Sequence, residues 1–285
     1  MCPSERNAER WGHPCYISPI VGERQYHLQV EAGEIGAYVL LPGDPGRCEV
    51  IAARLDGARR IASHREFTTC TGSLDGVPVS VTSTGIGGPS AAIAVEELVR
   101  AGARTLVRVG SCGSLDPGLG FGDVVVVQAA ARGDGTPDHY APAGFPAVAD
   151  LDVVLALRET ARVAGHPCRV GVVLSNEAFY AEMEPESFPE EGLIRARWDA
   201  WARAGCIAAE MESATLLTVA AVRRVRAGAV LAVIDSASEG VAGLPDARRL
   251  PVDAAIDIAV GGVRRLIALE AAAGRDKGAT GAADR

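Results

Sequence analysis

The sequence predicts a single α/β domain in which a largely parallel β-sheet is covered by helices on both faces. Runs rich in valine, isoleucine and leucine alternate with runs rich in alanine and leucine, as in sheets that are buried on both sides. The chain has 285 residues, of which 48% are hydrophobic, enough for one large domain or two small ones. No linker and no internal repeat divides it, so we expect one domain.

The elements are predicted in chain order from hydrophobic periodicity and from glycine and proline positions. The expected segments are strand and turn 37–47, helix 49–55, strand and glycine loop 77–90, helix 90–102, strand and glycine loop 104–114, strand 122–131, apolar segment 169–180, strand-to-helix junction 206–213 and strand 227–240. The chemically versatile residues follow strand ends, where open α/β sheets bind ligands.

The two ends of the chain are polar. We expect residues 1–30 to form an N-terminal arm, residues 31–271 to form the domain, and residues 272–285 to be a disordered tail. No apolar run reaches the length of a membrane span, and the N-terminus lacks the apolar core of a signal peptide.

Cysteine usage and charge exclude several classes of function. The seven cysteines are scattered without a CxxC pair, so neither a zinc site nor a disulfide framework is predicted, and a cytoplasmic location is expected. The net charge of −8 argues against a nucleic-acid partner. Because the net charge repels anions, any bound anion must be held by a local cluster of arginine residues.

The run from Cys206 to Ala214 joins an apolar strand to two acidic residues. Glu210 and Glu212 flank Met211 where the apolar stretch ends and a helix-forming run begins. Buried carboxylates need partners, and the vicinal hydroxyls of a sugar are suitable donors. Acidic residues in the first turn of a helix are also favoured by the helix dipole, so the motif alone leaves both interpretations open.

Three glycine-bearing strand ends are candidates for anion binding. PGDPGR contains Gly43 and Arg47, although the same composition is typical of a surface turn. RVGSCG places Arg108 inside an apolar strand, where its guanidinium needs a partner. TGIGGPS (84–90) lacks the spacing of dinucleotide-binding loops, but a helix follows it directly. The polar run SHREF (63–67) is a dense cluster between apolar runs, and the simplest expectation for it is a solvent-exposed loop without a function.

These pieces occur together in the order found in nucleoside phosphorylases of the uridine/purine phosphorylase superfamily. PGDPGR, ASHREFTT, STGIGGPS, the loop from Arg108 to Gly113, FPAVAD, Phe179-Tyr180 and AEMESATLLT follow that order, and the chain resembles uridine phosphorylases most. The resemblance implies a nucleoside phosphorylase fold with a central mixed sheet, partly barrel-like, flanked by helices. It also implies a homo-oligomer, a hexamer of dimers that share active sites, and the reversible conversion of a nucleoside and phosphate to free base and pentose 1-phosphate.

The resemblance implies which residues bind each part of the substrates. The phosphate site comprises Gly43, Arg47, Arg108 and Ser111, with Arg65 supplied by the neighbouring subunit. The ribose site comprises Glu210, Met211, Glu212 and the neighbour's His27. The base site comprises Cys112, Gly113, Phe179, Met183 and Asp235. Catalysis falls to Asp235, Arg108 and Glu212. From the sequence alone, His27 would be interpreted as a single histidine in the arm without a function, and Phe179 would be interpreted as a core residue.

No cofactor is expected, because inorganic phosphate is a substrate. Glu66, Ile86 and Ser90 match positions that bind a monovalent cation between subunits in some bacterial members of the family. A structural K⁺ at these three residues is therefore an additional expectation from the resemblance.

The base site departs from the uridine phosphorylase pattern. Those enzymes recognise uracil with a Gln and an Arg two residues apart, just after the Phe-Tyr pair. Here the two positions are Met183 and Pro185, whose side chains cannot make the paired hydrogen bonds. Ala209 replaces a tyrosine, which widens the pocket.

Asp235 matches the aspartate that interacts with the base in purine phosphorylases, where an arginine on the following helix accompanies it. Arg248 or Arg249 lies at a comparable spacing. To act as a general acid, Asp235 must hold a proton near neutral pH, which burial favours. The alternative is an Asp at a strand end that caps the next segment.

We therefore expect a nucleoside phosphorylase whose substrate is a purine or modified nucleoside, or alternatively a uridine phosphorylase with a divergent base pocket. A nucleosidase would use water and would not need Arg47, Arg65 and Arg108 together. A nucleoside-binding protein without activity is a further interpretation, because a fold does not establish a function.

Overall fold

The computed structural model describes residues 23–236, 246 and 250–280, with side chains described up to residue 273. These residues form one α/β domain. Its strands are β1 (Tyr38–Pro42), β2 (Asp56–His64), β3 (Phe67–Leu74), β4 (Val77–Thr82), β5 (Thr105–Ser114), β6 (Val124–Arg132), β7 (Ala147–Val148), β8 (Cys168–Ser175), β9 (Cys206–Glu210) and β10 (Arg226–Ser236). Its α-helices are α1 (Gly46–Ala52), α2 (Gly88–Ala101), α3 (Leu151–Val163), α4 (Phe179–Met183), α5 (Glu191–Arg203), α6 (Ser213–Val222) and α7 (Asp253–Thr280).

Five of the strands close into a ring, and the others extend from it. The ring runs β5–β10–β6–β8–β9 and returns to β5. From β5 the sheet continues outward through β1, β4, β3 and β2, while the short β7 pairs with β6. The predicted central mixed sheet, partly barrel-like and flanked by helices, is therefore confirmed.

The alternation of strands and helices alone predicted a largely parallel sheet, and this prediction is wrong. β1 runs parallel to β4 and β5, but β2, β3 and β4 form an antiparallel meander, and β9 is antiparallel to β5. β2 escaped prediction because it is polar and mostly exposed. The run 63–67, expected as an exposed loop, comprises the end of β2, the two-residue turn 65–66 with Arg65 at a φ of 55°, and the buried Phe67 that begins β3.

Helix ends follow local chemistry. α1 begins at Gly46, three residues before the predicted start. α2 ends as predicted, with Gly102 at a φ of 120°. α3 begins after Asp150, whose carboxylate accepts the main-chain N–H groups of Asp152 and Val153 at 3.1 and 3.2 Å. Such caps satisfy amides that the helix itself leaves unpaired.

One apolar core fills the space between the sheet and its helices. Leu28 and Val30, at the end of the expected arm, are fully buried in it. α7 continues to Thr280, past the expected domain boundary at residue 271. Among the helices of the described residues, none has the length and apolarity needed to cross a bilayer.

β5 creates the opening in which the candidate site lies. One edge of β5 pairs with β10 from Thr105 to Ser114. Its other edge pairs with β1 over 105–109 and with β9 over 113–114. Over 110–112, none of the described strands pairs with this second edge, so β1 and β9 diverge there.

Candidate active site

A cavity of about 870 Å³ lies at this opening, where β1, β8, β9 and β10 end. That volume lies within the range of small-molecule sites. Most of the predicted site residues line it: Gly43, Arg47, Glu66, Ile86, Ser90, Arg108, Ser111, Cys112, Gly113, Phe179, Met183, Glu210, Met211, Glu212 and Asp235. His27 and Arg65 do not line it, and their contribution to a neighbouring subunit's site stays a prediction.

Arg108 links two acidic residues in the floor of the cavity. It is 5% exposed, and its Nε donates to Glu210 Oε2 at 2.9 Å while its Nη2 contacts Glu212 Oε2 at 2.5 Å. The guanidinium folds back over Gly110, where a Cβ atom would lie 2.8 Å from its Cζ and Nη2 atoms. A side chain at position 110 would therefore displace the ends of Arg108 and Leu231.

Glu210 has a positioning role. Its carboxylate accepts the main-chain N–H groups of Glu212 and Ser213 at 2.9–3.0 Å, the Ser175 hydroxyl and Arg108 Nε. A carboxylate has about four acceptor sites, so these donors leave little capacity for a sugar hydroxyl. The contacts fix the start of α6 and the orientation of Arg108, and ribose binding by Glu210 stays a prediction.

Glu212 is less fully engaged. It accepts from the Gly87 N–H at 2.5 Å and from Arg108, which leaves about two acceptor positions. Burial and the neighbouring Glu210 carboxylate raise the pKa of Glu212, whereas Arg108 opposes that rise. The arrangement leaves Glu212 able to accept hydrogen bonds from two hydroxyl groups in the cavity.

Arg47 supplies a second positive charge. In the described part of the chain its guanidinium makes no hydrogen bond or ion pair, although Asp44 acts on it at longer range. Burial lowers the pKa of Arg47, and the charge of Arg108 lowers it further. Two guanidiniums in one partly buried site repel each other unless an anion lies between them, so this end of the cavity suits phosphate.

The opposite end of the cavity has mixed polarity. A β-bulge in β10 lies between Val233 and Asp235, and Ile234 and Asp235 both line the cavity. Asp235 lies against Gly113, where a Cβ atom would come within 2.9 Å of its Oδ1. Arg248 and Arg249, the predicted partners of Asp235, lie outside the described residues.

Aromatic and thiol groups complete this end. Phe179 and Tyr180 meet edge to face with ring centroids 5.3 Å apart, and Phe179 lines the cavity. Cys112 is buried, and burial raises the pKa of its thiol, which therefore stays neutral. Met183 lines the cavity, whereas Pro185 is buried outside it.

Several cavity residues were not predicted from the sequence. Among them, Asn176, Glu182 and Trp198 line the cavity together with Phe179. Burial and, to a smaller extent, the charge of Glu177 raise the pKa of Glu182 to about 7, against the opposing effect of a hydrogen bond from Asn176. The sequence carried a signal for Glu182, because it is an acidic residue between Phe179 and Pro185, where the family pattern has Gln and Arg.

His27 and Arg65 belong to one surface outside this cavity. His27 Nδ1 lies 2.7 Å from Glu97 Oε1, and His64 Nδ1 lies 3.0 Å from the His27 carbonyl oxygen. Arg65 follows His64 in the exposed β2–β3 turn. The two residues predicted for a neighbouring site are thus presented together.

The predicted cation-binding residues lie together at the cavity mouth. Ser90 Oγ donates to Glu66 Oε1 at 3.0 Å, and Ile86 beside them is 79% exposed. Oxygen atoms suit a hard cation, but one Glu66 oxygen already has a protein partner. Across the described residues, no group of three or more His, Cys, Asp or Glu side chains forms a metal-binding cluster.

Comparison with known proteins gives consistent matches. Residues 37–267 match the model of the phosphorylase superfamily. A uridine phosphorylase of Treponema pallidum is 43% identical over 85% of this chain and 94% of its own length. A uridine phosphorylase of Thermococcus kodakarensis is 46% identical over 73% of this chain and 76% of its own. A guanosine phosphorylase of Halorubrum lacusprofundi is 39% identical over 74% and 83%.

These matches do not support the expectation of a purine or modified nucleoside, and the uridine alternative fits them better. The expectation rested on four single positions, Met183, Pro185, Ala209 and Asp235, and the structure shows a further polar residue, Glu182, in the same segment as the first two. A match over residues 37–267 covers the cavity and the whole sheet that forms it. The chain belongs to the phosphorylase superfamily and lies close to the uridine phosphorylases within it.

Proposed function

We propose that this protein catalyses the reversible phosphorolysis of uridine to uracil and ribose 1-phosphate. The observation that carries the proposal is the bridge from Arg108 to Glu212, which joins an anion site to a hydroxyl-binding carboxylate in one buried cavity. The relatives named uridine phosphorylase support uridine as the nucleoside.

Phosphate binds at the end of the cavity that holds Arg47 and Arg108. Ser111 and the unpaired edge of β5 beside it add neutral donors. Fixing the nucleophile beneath C1′ of the ribose removes most of the entropic barrier to attack. The neighbouring subunit adds Arg65.

Ribose binds at Glu212 and Met211. The two free acceptor positions of Glu212 bind the 2′- and 3′-hydroxyls, and Met211 packs on the sugar. As the glycosidic bond lengthens, the sugar gains positive charge, which the phosphate dianion and the Glu212 carboxylate stabilise. Phosphate forms the new bond to C1′, and the bonding electrons leave with the base, which takes up a proton from solvent or from a cavity carboxyl group.

Guanosine is a second candidate substrate. The guanosine phosphorylase relative and the carboxyl groups of Asp235 and Glu182 at the base end both favour it. Guanine presents two adjacent N–H donors that a carboxylate accepts in a bidentate manner.

Subunit sharing is part of the proposal. His27 and the β2–β3 turn lie on one surface, so a single dimer contact brings both His27 and Arg65 to the partner's cavity. Glu66, Ile86 and Ser90 lie at that edge and hold K⁺ there. Exchanging K⁺ for choline in the assay buffer tests the cation, because loss of bound K⁺ lowers activity only if the site is real.

Phosphate dependence tests the reaction. Uridine, guanosine, adenosine and inosine are incubated with the protein, with and without phosphate, and free base and pentose 1-phosphate are separated chromatographically. We expect uracil and ribose 1-phosphate in equal amounts, and only with phosphate. Base release without phosphate identifies a nucleosidase, and binding without turnover identifies a nucleoside-binding protein; either result contradicts the proposal.

A further inference from the structure

Glu182 is a half-buried acidic residue at the base end of the cavity with an unmet hydrogen-bonding requirement. It lies in α4, and its side chain lines the cavity with Asn176, Phe179 and Trp198. Its Oε2 atom is inaccessible to solvent and has no hydrogen-bond partner among the described residues. A buried carboxyl oxygen without a partner is costly, and a ligand that supplies one removes that cost.

The protonation state of a carboxyl group determines which base edge it matches. A neutral carboxylic acid has one O–H donor and one carbonyl acceptor, the same pair that a glutamine amide offers. Uracil presents N3–H between two carbonyl oxygens, so the neutral acid can donate to one carbonyl and accept from N3–H. A carboxylate only accepts, which matches the adjacent N1–H and N2–H groups of guanine and places a repulsive oxygen against a uracil carbonyl.

Both protonation states are accessible near neutral pH. Burial, followed by the negative charge of Glu177, raises the pKa of Glu182 to about 7, while the Asn176 hydrogen bond opposes the rise. On α5, which packs against α4, Trp198 adds no charge to the cavity, and Arg195 is paired with Glu186 and Glu191. Asp235 from β10 also lines the cavity.

We propose that Glu182 contacts the hydrogen-bonding edge of the base in place of the missing Gln and Arg, selecting uracil when its carboxyl group is protonated and guanine when it is ionised. The inference rests on the proposed function and names how that site recognises its base. Ala209 and the cavity volume of about 870 Å³ leave room for either ring system.

The pH dependence of specificity tests this assignment. We expect the ratio of kcat/KM for uridine to that for guanosine to fall by about tenfold to a hundredfold between pH 6 and pH 8, as Glu182 ionises. Glu182→Gln removes the titration and keeps the donor and acceptor of the neutral acid. This variant should favour uridine at both pH values, with a ratio that changes less than about threefold.

Glu184→Gln is the matched control, since the same change is made two residues away at a side chain outside the cavity. It should retain the wild-type ratio and its fall with pH. A wild-type ratio that is independent of pH, or a Glu182→Gln variant that keeps the wild-type pH profile, overturns the assignment. Thermal unfolding of both variants shows whether either substitution disturbs the fold.

Failure of the proposed function has a different signature. If the wild-type protein converts no nucleoside in phosphate, the reaction is wrong, but Glu182 is still testable by binding. Quenching of the intrinsic tryptophan fluorescence, to which Trp198 in the cavity contributes, by uridine and guanosine at pH 6 and 8 gives the two affinities. An affinity ratio that is independent of pH and unchanged in Glu182→Gln then overturns the inference by itself.

Discussion

The two ends of the cavity are built in different ways. The anion and sugar end rests on β5 and β9, and Arg108, Glu210 and Glu212 are each at most 6% exposed and joined by short contacts. The proposed base end combines the sheet residue Asp235 with Phe179, Glu182 and Met183 from α4 and Trp198 from α5, and neither helix contains a buried residue. The proposed reaction therefore depends on the sheet, whereas the proposed base selection also depends on a peripheral segment that can change with little cost to stability.

Replacing Arg108 should break the sheet-built end most severely. Arg108→Ala leaves Glu210 and Glu212 buried without their cation, and we expect a loss of about 3–5 kcal/mol in the free energy of unfolding. The kcat/KM for uridine should fall by about 10³-fold. Urea denaturation and steady-state kinetics measure the two effects.

Arg169→Ala is the control for that experiment, because the half-exposed Arg169 pairs with Asp116 on the surface. It should cost less than about 1 kcal/mol and leave kcat/KM intact. Equal losses in both variants would contradict the contrast between the two ends.

Glu212→Gln should have the next largest effect. The variant keeps the shape of the side chain but removes its negative charge. We expect kcat/KM for uridine to fall by about 10²-fold. With 2′,3′-dideoxyuridine, which lacks both hydroxyls, the substitution should matter much less. An equal loss on both substrates would remove Glu212 from hydroxyl binding.

Subunit sharing predicts recovery of activity from two damaged proteins. Arg47→Ala and Arg65→Ala should each lower kcat/KM by about tenfold or more, because each removes a proposed phosphate contact. After the two variants are unfolded together and refolded, about a quarter of the sites should contain both arginines. Activity no higher than that of the separate variants would place both residues in the same subunit's site, or outside any site.

The smallest of these effects should be the contribution of Glu182 to stability. Its folded-state pKa, about 7, lies above the unfolded value of about 4.3, so its stabilising contribution is complete below pH 4 and is lost as the pH rises through 7. Relative to Glu182→Gln, the wild-type protein should lose about 1 kcal/mol between pH 4 and pH 8, a value reduced for partial exposure. Paired urea titrations at the two pH values measure the difference.

Much of the sheet-built end was predictable from the sequence. Arg108 interrupts an apolar strand, and Glu210 and Glu212 end another, so the sequence implied that each needs a partner. Their pairing with one another was not predicted, because sugar hydroxyls were the expected partners of the carboxylates. That Glu210 is saturated by protein donors was not predictable, because the amides of Glu212 and Ser213 reach it only once α6 begins there.

The base end was harder to predict. Whether Met183, Glu182 or Pro185 faces the cavity depends on the rotation of a five-residue helix, which no apolar periodicity specifies. The β2–β3 hairpin was missed for a related reason. Its outer strand is too polar for a strand pattern and is held by main-chain pairing with β3.

The unpaired stretch of β5 at residues 110–112 has an evolutionary consequence. Main-chain amides are encoded by the fold and not by the identity of a side chain, so a substrate contact made there survives almost any substitution that keeps the strands in register. Such a contact is inherited unchanged when neighbouring side chains drift. The side chains that contact the base can then be exchanged during evolution, one position at a time, while the proposed main-chain contact with phosphate is retained.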